Sequence, residues 1–234
     1  MPQVESYAIL VTTEMVYDFH THTSISDGVL SPLELVRRAL INGYKAIGIT
    51  DHAGIGYLER LIKEITADCV LAEKHWNIAA IPGVELTHVP AAAIAQTARK
   101  AKELGAKLVV VHGETIAEPV EPGTNMAALK SPHVDILAHP GMITIEEAKV
   151  AAAGGIYLEI TARKQHSPPN KHVAEMARRA GAKLIIDSDA HDELDLLTSE
   201  SAFNIARNAN LTEAEIVKAL QTNPQALLRK LLSK

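Results

Sequence analysis

The chain has 234 residues and a formal net charge of −5 at pH 7, with 23 basic and 28 acidic residues. This balance excludes strong electrostatic attraction to nucleic acid or to an anionic membrane, and we expect neither as a partner. The apolar runs are shorter than the roughly 20 residues that cross a bilayer, the N-terminal residues lack a signal-peptide pattern, and the single cysteine cannot form an internal disulfide, so we expect a cytoplasmic protein.

Short β-branched apolar runs alternate with longer segments of helical period along the chain. The seven predicted strands cover residues 15–19, 46–50, 78–86, 108–111, 136–138, 156–160 and 184–186. The predicted helices cover residues 32–41, 55–73, 91–104, 145–153, 171–180, 195–206 and 212–234, with an interruption at Pro224. Thr212 and Glu215 have the spacing of a capping box. Such alternation predicts a parallel sheet with helices outside it.

Groups able to bind a metal follow nearly every predicted strand, which favours a closed barrel over an open doubly wound sheet. An open sheet gathers its site from a few strands near one switch point, whereas a barrel collects residues from all its strands at one rim. We therefore predict an α/β fold, a distorted TIM-like (β/α)7 barrel. We expect a single domain over residues 1–234, with its core at about 16–191 and C-terminal helices at 195–234 packed on the barrel. The pattern of residues 1–14 leaves their structure open.

Two pairs of candidate metal ligands follow the first and the last predicted strand. His20 and His22 are two residues apart, so on a strand both imidazoles point to the same side. Asp189 and His191 repeat this spacing after the last strand, which is a neighbour of the first in a closed barrel. The remaining candidate metal ligands are Asp27, His52, Glu85, His112 and His139.

Each of these groups taken alone has a structural alternative. Asp27 precedes a glycine, which is good turn chemistry, and a single histidine such as His112 or His139 at the end of an aliphatic strand is more often a hydrogen-bonded core residue. Glu85 ends an apolar strand, where a glutamate is costly unless paired or coordinated. Asp51 could orient an imidazole or stabilise its loop. Only the combination predicts a metal-dependent hydrolase.

The combined motifs resemble the PHP superfamily, named for polymerase and histidinol phosphatase domains, over about residues 16–191. The motifs are DFHTHT at 18–23, SDG at 26–28, TDH at 50–52, PGVE at 82–85, His112, AHP at 138–140 and DSDAH at 187–191. The resemblance implies a distorted seven-stranded barrel with up to three divalent metal ions, which are zinc, manganese or iron. It also implies hydrolysis by a metal-activated water, with no protein nucleophile.

The resemblance further implies which residues hold each metal. The implied sets are His20, His22, Glu85 and Asp189 for the first metal, Glu85, His112 and His139 for the second, and Asp27, His52 and His191 for the third. The implied catalytic residues are His20, His22, Glu85, Asp189 and His191. No expected ligand position is missing, which argues against members that keep the fold only for binding.

Candidate substrate contacts lie in the segment that leaves the sixth predicted strand, residues 159–170. Arg163 is best suited to a phosphate because its guanidinium can contact two oxygens at once. The segment resembles the corresponding loop of the histidinol-phosphatase-like branch, and a solvated loop is the alternative. The secondary candidates are Lys164, His166 and Asn170, together with His88.

Three functions remain open. The favoured one is hydrolysis of a small phosphomonoester, such as histidinol phosphate. A phosphodiesterase or exonuclease acting on nucleotides or short oligonucleotides would need aromatic stacking platforms, but aromatic residues make up 3% of the chain. A non-catalytic, metal-bound binding subunit is the third; nine ligands for three metals leave open coordination positions, which favours catalysis. The sequence leaves open the exact substrate, the metal used in the cell, the role of the third metal and the oligomeric state.

Overall fold

The computed structural model describes residues 15–233, and a parallel sheet forms its centre. The strands are β1 (Val16–Asp18), β2 (Tyr44–Ile49), β3 (His52–Ala53), β4 (Ala79–Leu86), β5 (Leu108–His112), β6 (Ile136–Ala138), β7 (Tyr157–Thr161) and β8 (Leu184–Asp187). Apart from the two-residue β3, which pairs with β4 and was not predicted, the strands neighbour one another in chain order. Residues 1–14, whose structure the sequence pattern left open, lie outside the described residues.

Backbone hydrogen bonds join the chain beyond β1 to the chain beyond β8. The Asp189 N–H donates to the His20 carbonyl at 2.9 Å, and the His22 N–H donates to the Ala190 carbonyl at 2.8 Å. Thr21 and Ala190 form a parallel bridge. The seven strands thus make a nearly closed barrel, and the predicted distorted TIM-like (β/α)7 fold is confirmed.

Helices surround the sheet. They are α1 (Pro32–Ile41), α2 (Leu58–His75), α3 (Ile94–Glu103), α4 (Thr124–Leu129), α5 (Ile145–Gly154), α6 (Asn170–Ala180), α7 (Ser199–Asn208), α8 (Glu213–Val217) and α9 (Asn223–Leu232). A 3-10 turn at Ala91–Ala93 precedes α3. Within residues 15–233, no helix combines the length and the apolar character needed to cross a membrane.

The C-terminal helices differ in detail from their sequence pattern. Helix α7 begins at Ser199 rather than at residue 195, because the Thr198 side chain caps it there. The capping box of Thr212 and Glu215 at α8 is confirmed. The helical pattern is interrupted near Pro224, as predicted: a π-helical turn at Lys218–Thr222 comes before α9. Pro224 lies in the first turn of α9, because proline has no N–H to continue the hydrogen bonds of a preceding helix.

Two apolar clusters hold the barrel together. The larger one lies between the sheet and the surrounding helices, and the smaller one fills the barrel with side chains from its strands and from α9. Leu227 and Leu231 of α9 are fully buried in this inner cluster. Lys230 binds Asp135, which immediately precedes β6, at 3.0 Å. Helix α9 therefore closes the amino end of the strands and leaves their carboxyl end for a site.

Candidate metal centre

All nine ligand candidates lie at the carboxyl end of the barrel. His112 is the last residue of β5, His139 directly follows β6, and Glu85 lies at the end of β4. The others come from the segments beyond β1 and β8 and from β3; they are His20, His22, Asp27, His52, Asp189 and His191. Parallel strands deliver their final side chains to one rim, so residues far apart in sequence meet here.

The innermost group joins the ends of β1, β4 and β8. His20 Nε2 lies 3.4 Å from Glu85 Oε1, and His22 Nε2 lies 3.2 Å from Asp189 Oδ1. All four side chains are buried. Burial opposes ionisation of Asp189, but the charges of His20 and His22 hold the pKa of its carboxyl well below its usual range. The carboxylate is therefore in the form that binds a cation.

Several buried polar atoms of this group and of the neighbouring His139 have no hydrogen-bond partner among residues 15–233. They are His20 Nε2, both ring nitrogens of His22, Glu85 Oε1 and His139 Nδ1. An unsatisfied buried polar group costs about 1–3 kcal/mol, so a concentration of them calls for a ligand. Imidazole nitrogens and carboxylate oxygens are donors that divalent zinc, iron and manganese accept. The residues present therefore fit a divalent metal.

A second group contains three imidazoles. Ring nitrogens of His112, His139 and His166 lie within 4.8 Å of one another. Glu85 Oε1 lies 3.7 Å from His139 Nε2, so this carboxylate lies between the first and the second group. His166, which sequence reasoning assigned to the substrate, is thus placed among candidate metal ligands.

The third group lies nearer to solvent. His22, Asp27, His52 and His191 bring ligand atoms within 4.8 Å of one another, and Asp27 Oδ2 lies 3.2 Å from His191 Nε2. Burial opposes ionisation of the Asp27 carboxyl, but hydrogen bonds from His191 and His52 hold its pKa well below its usual range. Burial lowers the pKa of His52, but Glu85 and Asp27 raise it to about 10. A metal that binds His52 must therefore displace a proton.

Backbone strain coincides with these groups. Three residues other than glycine have positive φ at the rim: His88 at 54°, His139 at 26° and Asp189 at 54°. Such conformations cost about 1–3 kcal/mol each and persist only where the surroundings enforce them. At His139 and Asp189, the strained backbone carries two of the candidate ligands.

Glu159 on β7 supports two ligands, and sequence reasoning gave it no such role. Its Oε1 lies 2.9 Å from His20 Nδ1, and its Oε2 accepts a hydrogen bond from the His139 N–H at 2.7 Å. Burial raises the pKa of its carboxyl to about 7, although His20 opposes the shift. The sequence signal was available: a lone acid within the apolar strand Tyr157–Thr161 is costly unless it has partners.

Asp51 stabilises the loop that carries Asp27. It accepts hydrogen bonds from the Thr23 N–H and hydroxyl, each at 2.7 Å, and from the Ser26 hydroxyl at 2.5 Å. Of the two roles that the sequence allowed, the structure gives it the loop contact rather than an imidazole contact.

The comparisons with known proteins agree with this geometry. Residues 18–138, more than half of the chain, match the PHP domain. The chain belongs to the PHP family. The predicted family is thereby confirmed, and the relatives of the chain include three proteins that are similar to it over most of its length.

These relatives differ in their descriptions. An uncharacterized protein of Methanocaldococcus jannaschii is 46% identical over 93% of this chain and all of its own length. A protein of Thermoanaerobacter sp. named "Probable phosphatase" is 30% identical over 86% of this chain and 89% of its own. Ribonuclease P protein component 3 of Methanosarcina mazei is 26% identical over 92% of this chain and 89% of its own.

The solved structures that share the fold of this chain include the following two. One is histidinol phosphate phosphatase from Lactococcus lactis in complex with zinc, L-histidinol and phosphate, with a TM-score of 0.60, 16% identity, and coverage of 85% of this chain and 94% of that one. The other is an archaeal ribonuclease P with mature tRNA, with a TM-score of 0.61, 12% identity, and coverage of 92% and 88%. At these identities the likeness shows the fold alone.

The substrate candidates of this PHP domain take different positions. Arg163 and Lys164 line a cleft of about 540 Å³ that reaches His191. The Asn170 side chain accepts a hydrogen bond from the Thr161 N–H at 3.3 Å and donates one to the Thr161 carbonyl at 2.8 Å, so it stabilises the loop. His88 is exposed, and its Nε2 lies 2.9 Å from Glu118 Oε1. Only Arg163 and Lys164 therefore border a cleft next to the metal ligands.

Proposed function

We propose that this PHP domain is a metal-dependent phosphoesterase that hydrolyses a small phosphomonoester, with histidinol phosphate as the leading candidate. The observation that carries the proposal is the concentration of buried, unpartnered nitrogen and oxygen atoms beside a cleft that contains Arg163. The relative named as a phosphatase and the fold shared with a histidinol phosphate phosphatase support it.

The chain's own residues set the geometry for such a reaction. A bound divalent cation would lower the pKa of a water and withdraw charge from the phosphate oxygens. Glu159 Oε1 lies 2.9 Å from His20 Nδ1 and can accept a hydrogen bond from it, so a metal that displaces the proton on Nε2 would bind His20 at that nitrogen, which faces the centre of the site. Arg163 provides a guanidinium at the edge of the cleft, where it can bind two phosphate oxygens.

The cleft also favours a small polar substrate. It contains cations from Arg163 and Lys164 and carboxylates from Asp192 and Asp195, and Asp195 Oδ2 lies 3.1 Å from the Arg163 guanidinium. A lining with both signs of charge suits a phosphoester that also carries an amine. A volume of about 540 Å³ falls in the range of small-molecule sites.

A binding role in a ribonuclease P-like particle is the second candidate. The Methanosarcina mazei relative and the archaeal ribonuclease P structure each cover more than nine-tenths of this chain, and they favour RNA or protein partners. The net charge of −5 opposes direct RNA binding. A pure binding role also gives no reason for the buried, unpartnered ligand atoms.

Phosphate release by the purified protein tests the proposal. The protein would be loaded with Zn²⁺, Mn²⁺ or Fe²⁺ and offered histidinol phosphate, other phosphomonoesters, a phosphodiester and a short oligonucleotide. We expect preferential hydrolysis of one monoester, its loss in His20→Ala and Glu85→Ala, and full activity in His75→Ala, which removes an exposed histidine at the C-terminal end of α2. Cleavage confined to diesters would mean that the substrate is a phosphodiester. If the metal-loaded protein hydrolyses none of these substrates, the binding role is favoured.

A further inference from the structure

His166 lies in the loop after β7, and the fold buries it beside two candidate ligands. Its ring is stacked on that of His139, with 4.3 Å between centroids, and lies 5.8 Å from that of His112. The side chain is buried although the loop residues Lys164 and Gln165 are exposed. The loop therefore turns this one side chain inward.

Thr115 fixes which nitrogen of His166 is available. Its Oγ1 lies 2.8 Å from His166 Nδ1, and both side chains are buried. An imidazole whose Nδ1 is engaged in this way presents Nε2 to a metal, which is the usual arrangement of a metal-bound histidine. His112 has the same arrangement, since its Nδ1 lies 3.1 Å from the Gly113 carbonyl oxygen.

We propose that His166 is a ligand of the metal held by His112 and His139, and that Thr115 positions it. This inference rests on the metal centre of the proposed function. The ion then has three imidazoles, with Glu85 Oε1 at 3.7 Å from His139 Nε2 as a fourth donor. Such a nitrogen-rich site favours zinc or iron over manganese, which prefers oxygen ligands.

The ligand also connects the metal to the substrate loop. The Arg163 carbonyl accepts hydrogen bonds from the N–H groups of His166 and Ser167, at 3.0 and 2.9 Å. The turn is therefore a compact unit with Arg163 at one end and His166 at the other. A metal that binds His166 anchors the segment that presents Arg163 to the cleft.

Metal binding, measured apart from activity, tests this assignment. Zinc affinity would be measured by competition with a chelator, and the number of imidazoles per ion by X-ray absorption, for the wild type, His166→Ala and the control His75→Ala. We expect His166→Ala to weaken one metal position by more than about 100-fold, since even residues behind the ligands contribute about 10–100-fold. The control should bind as the wild type does.

Two further measurements keep the test decisive if His166→Ala folds poorly. Thr115→Val keeps the side-chain shape but removes Oγ1, and we expect it to weaken the same position by about 10–100-fold. Hydrogen exchange in residues 162–168 should slow on metal addition in the wild type but not in His166→Ala.

Unchanged zinc affinity and an unchanged imidazole count in His166→Ala would overturn the assignment and return His166 to the substrate contacts. A wild type that binds metal at three imidazoles but hydrolyses nothing would refute only the proposed function. A wild type that binds no metal would refute both.

Discussion

Glu159 Oε1 lies 2.9 Å from His20 Nδ1, and both side chains are fully buried. The other oxygen of the same carboxylate accepts the His139 N–H at 2.7 Å. One side chain of β7 thus links a ligand beyond β1 to a ligand beyond β6. The first and the second group of candidate ligands therefore share one supporting carboxylate.

We expect Glu159→Gln to lower metal affinity by about 10–100-fold, the usual effect of removing a group that orients a ligand. Both carboxylate oxygens accept hydrogen bonds, but a glutamine amide has only one oxygen, so one donor would face an NH₂ group. Zinc competition with a chelator measures the effect. Glu146→Gln, which changes an exposed residue of α5, is the control; equal affinities for the two variants would contradict the role of Glu159.

Gly28 is expected to be intolerant of any side chain. A Cβ at this position would lie 2.5 Å from the His22 carbonyl oxygen and 2.8 Å from the Thr23 nitrogen, whereas at Gly54 it would meet nothing within 4 Å. We expect Gly28→Ala to cost about 1–3 kcal/mol of unfolding free energy and to weaken the metal position of Asp27. Urea unfolding and zinc titration measure both effects. Gly54→Ala should change neither by much, and similar losses in both variants would refute the steric explanation.

The meeting of the candidate metal ligands at one rim could be predicted from the sequence because most of them follow an apolar run. His20 and His22 show this best: they follow β1, so they reach the rim of the barrel, and a two-residue spacing in extended chain places both on the same side. Glu159 and His166 were missed as metal-site residues for different reasons. The partner of Glu159 is 139 positions away in the chain, and the burial of His166 depends on how a polar loop folds back over the rim.

Two short elements, α4 and β3, were not predicted because their sequences show no apolar periodicity. Helix α4 has six residues within a segment rich in proline and glycine, and β3 has two residues. Neither is long enough for an apolar pattern of period 3.6 or 2 to stand out. The closing role of α9 was also hidden, since its amphipathic pattern shows an apolar face but not that this face enters the barrel.

Leu231 and Leu232 offer a test of that closing role. Leu231 is 0% exposed inside the barrel, and its neighbour Leu232 is 49% exposed. We expect Leu231→Ala to lower the free energy of unfolding by about 2–5 kcal/mol because it leaves a cavity in the inner cluster. Leu232→Ala should cost less than about 1 kcal/mol. Chemical denaturation of both variants measures the free energy of unfolding. A small loss of unfolding free energy for Leu231→Ala would show that α9 contributes little to the core.

The acid stability of the protein should depend on Glu215. Its carboxylate accepts two hydrogen bonds from Arg178, at 2.7 and 2.9 Å, and this contact lowers its pKa from 4.5 to about 2. A depressed pKa means that the stabilisation is fully present above pH 4.5 and is lost as the pH falls from there to about 2. Because Arg178 is 42% exposed, we expect Glu215→Gln to cost only about 1 kcal/mol at pH 7.

The measurement for Glu215 is urea unfolding between pH 2 and 7. The difference between the wild type and Glu215→Gln should be constant near neutrality and shrink below pH 4.5, since the wild-type carboxylate is then progressively protonated. Glu213→Gln, two residues earlier in the same helix and exposed, is the control and should lack this pH dependence. A difference that stays constant down to pH 2 would mean that Glu215 stabilises α8 through its cap to Thr212 rather than through its charge.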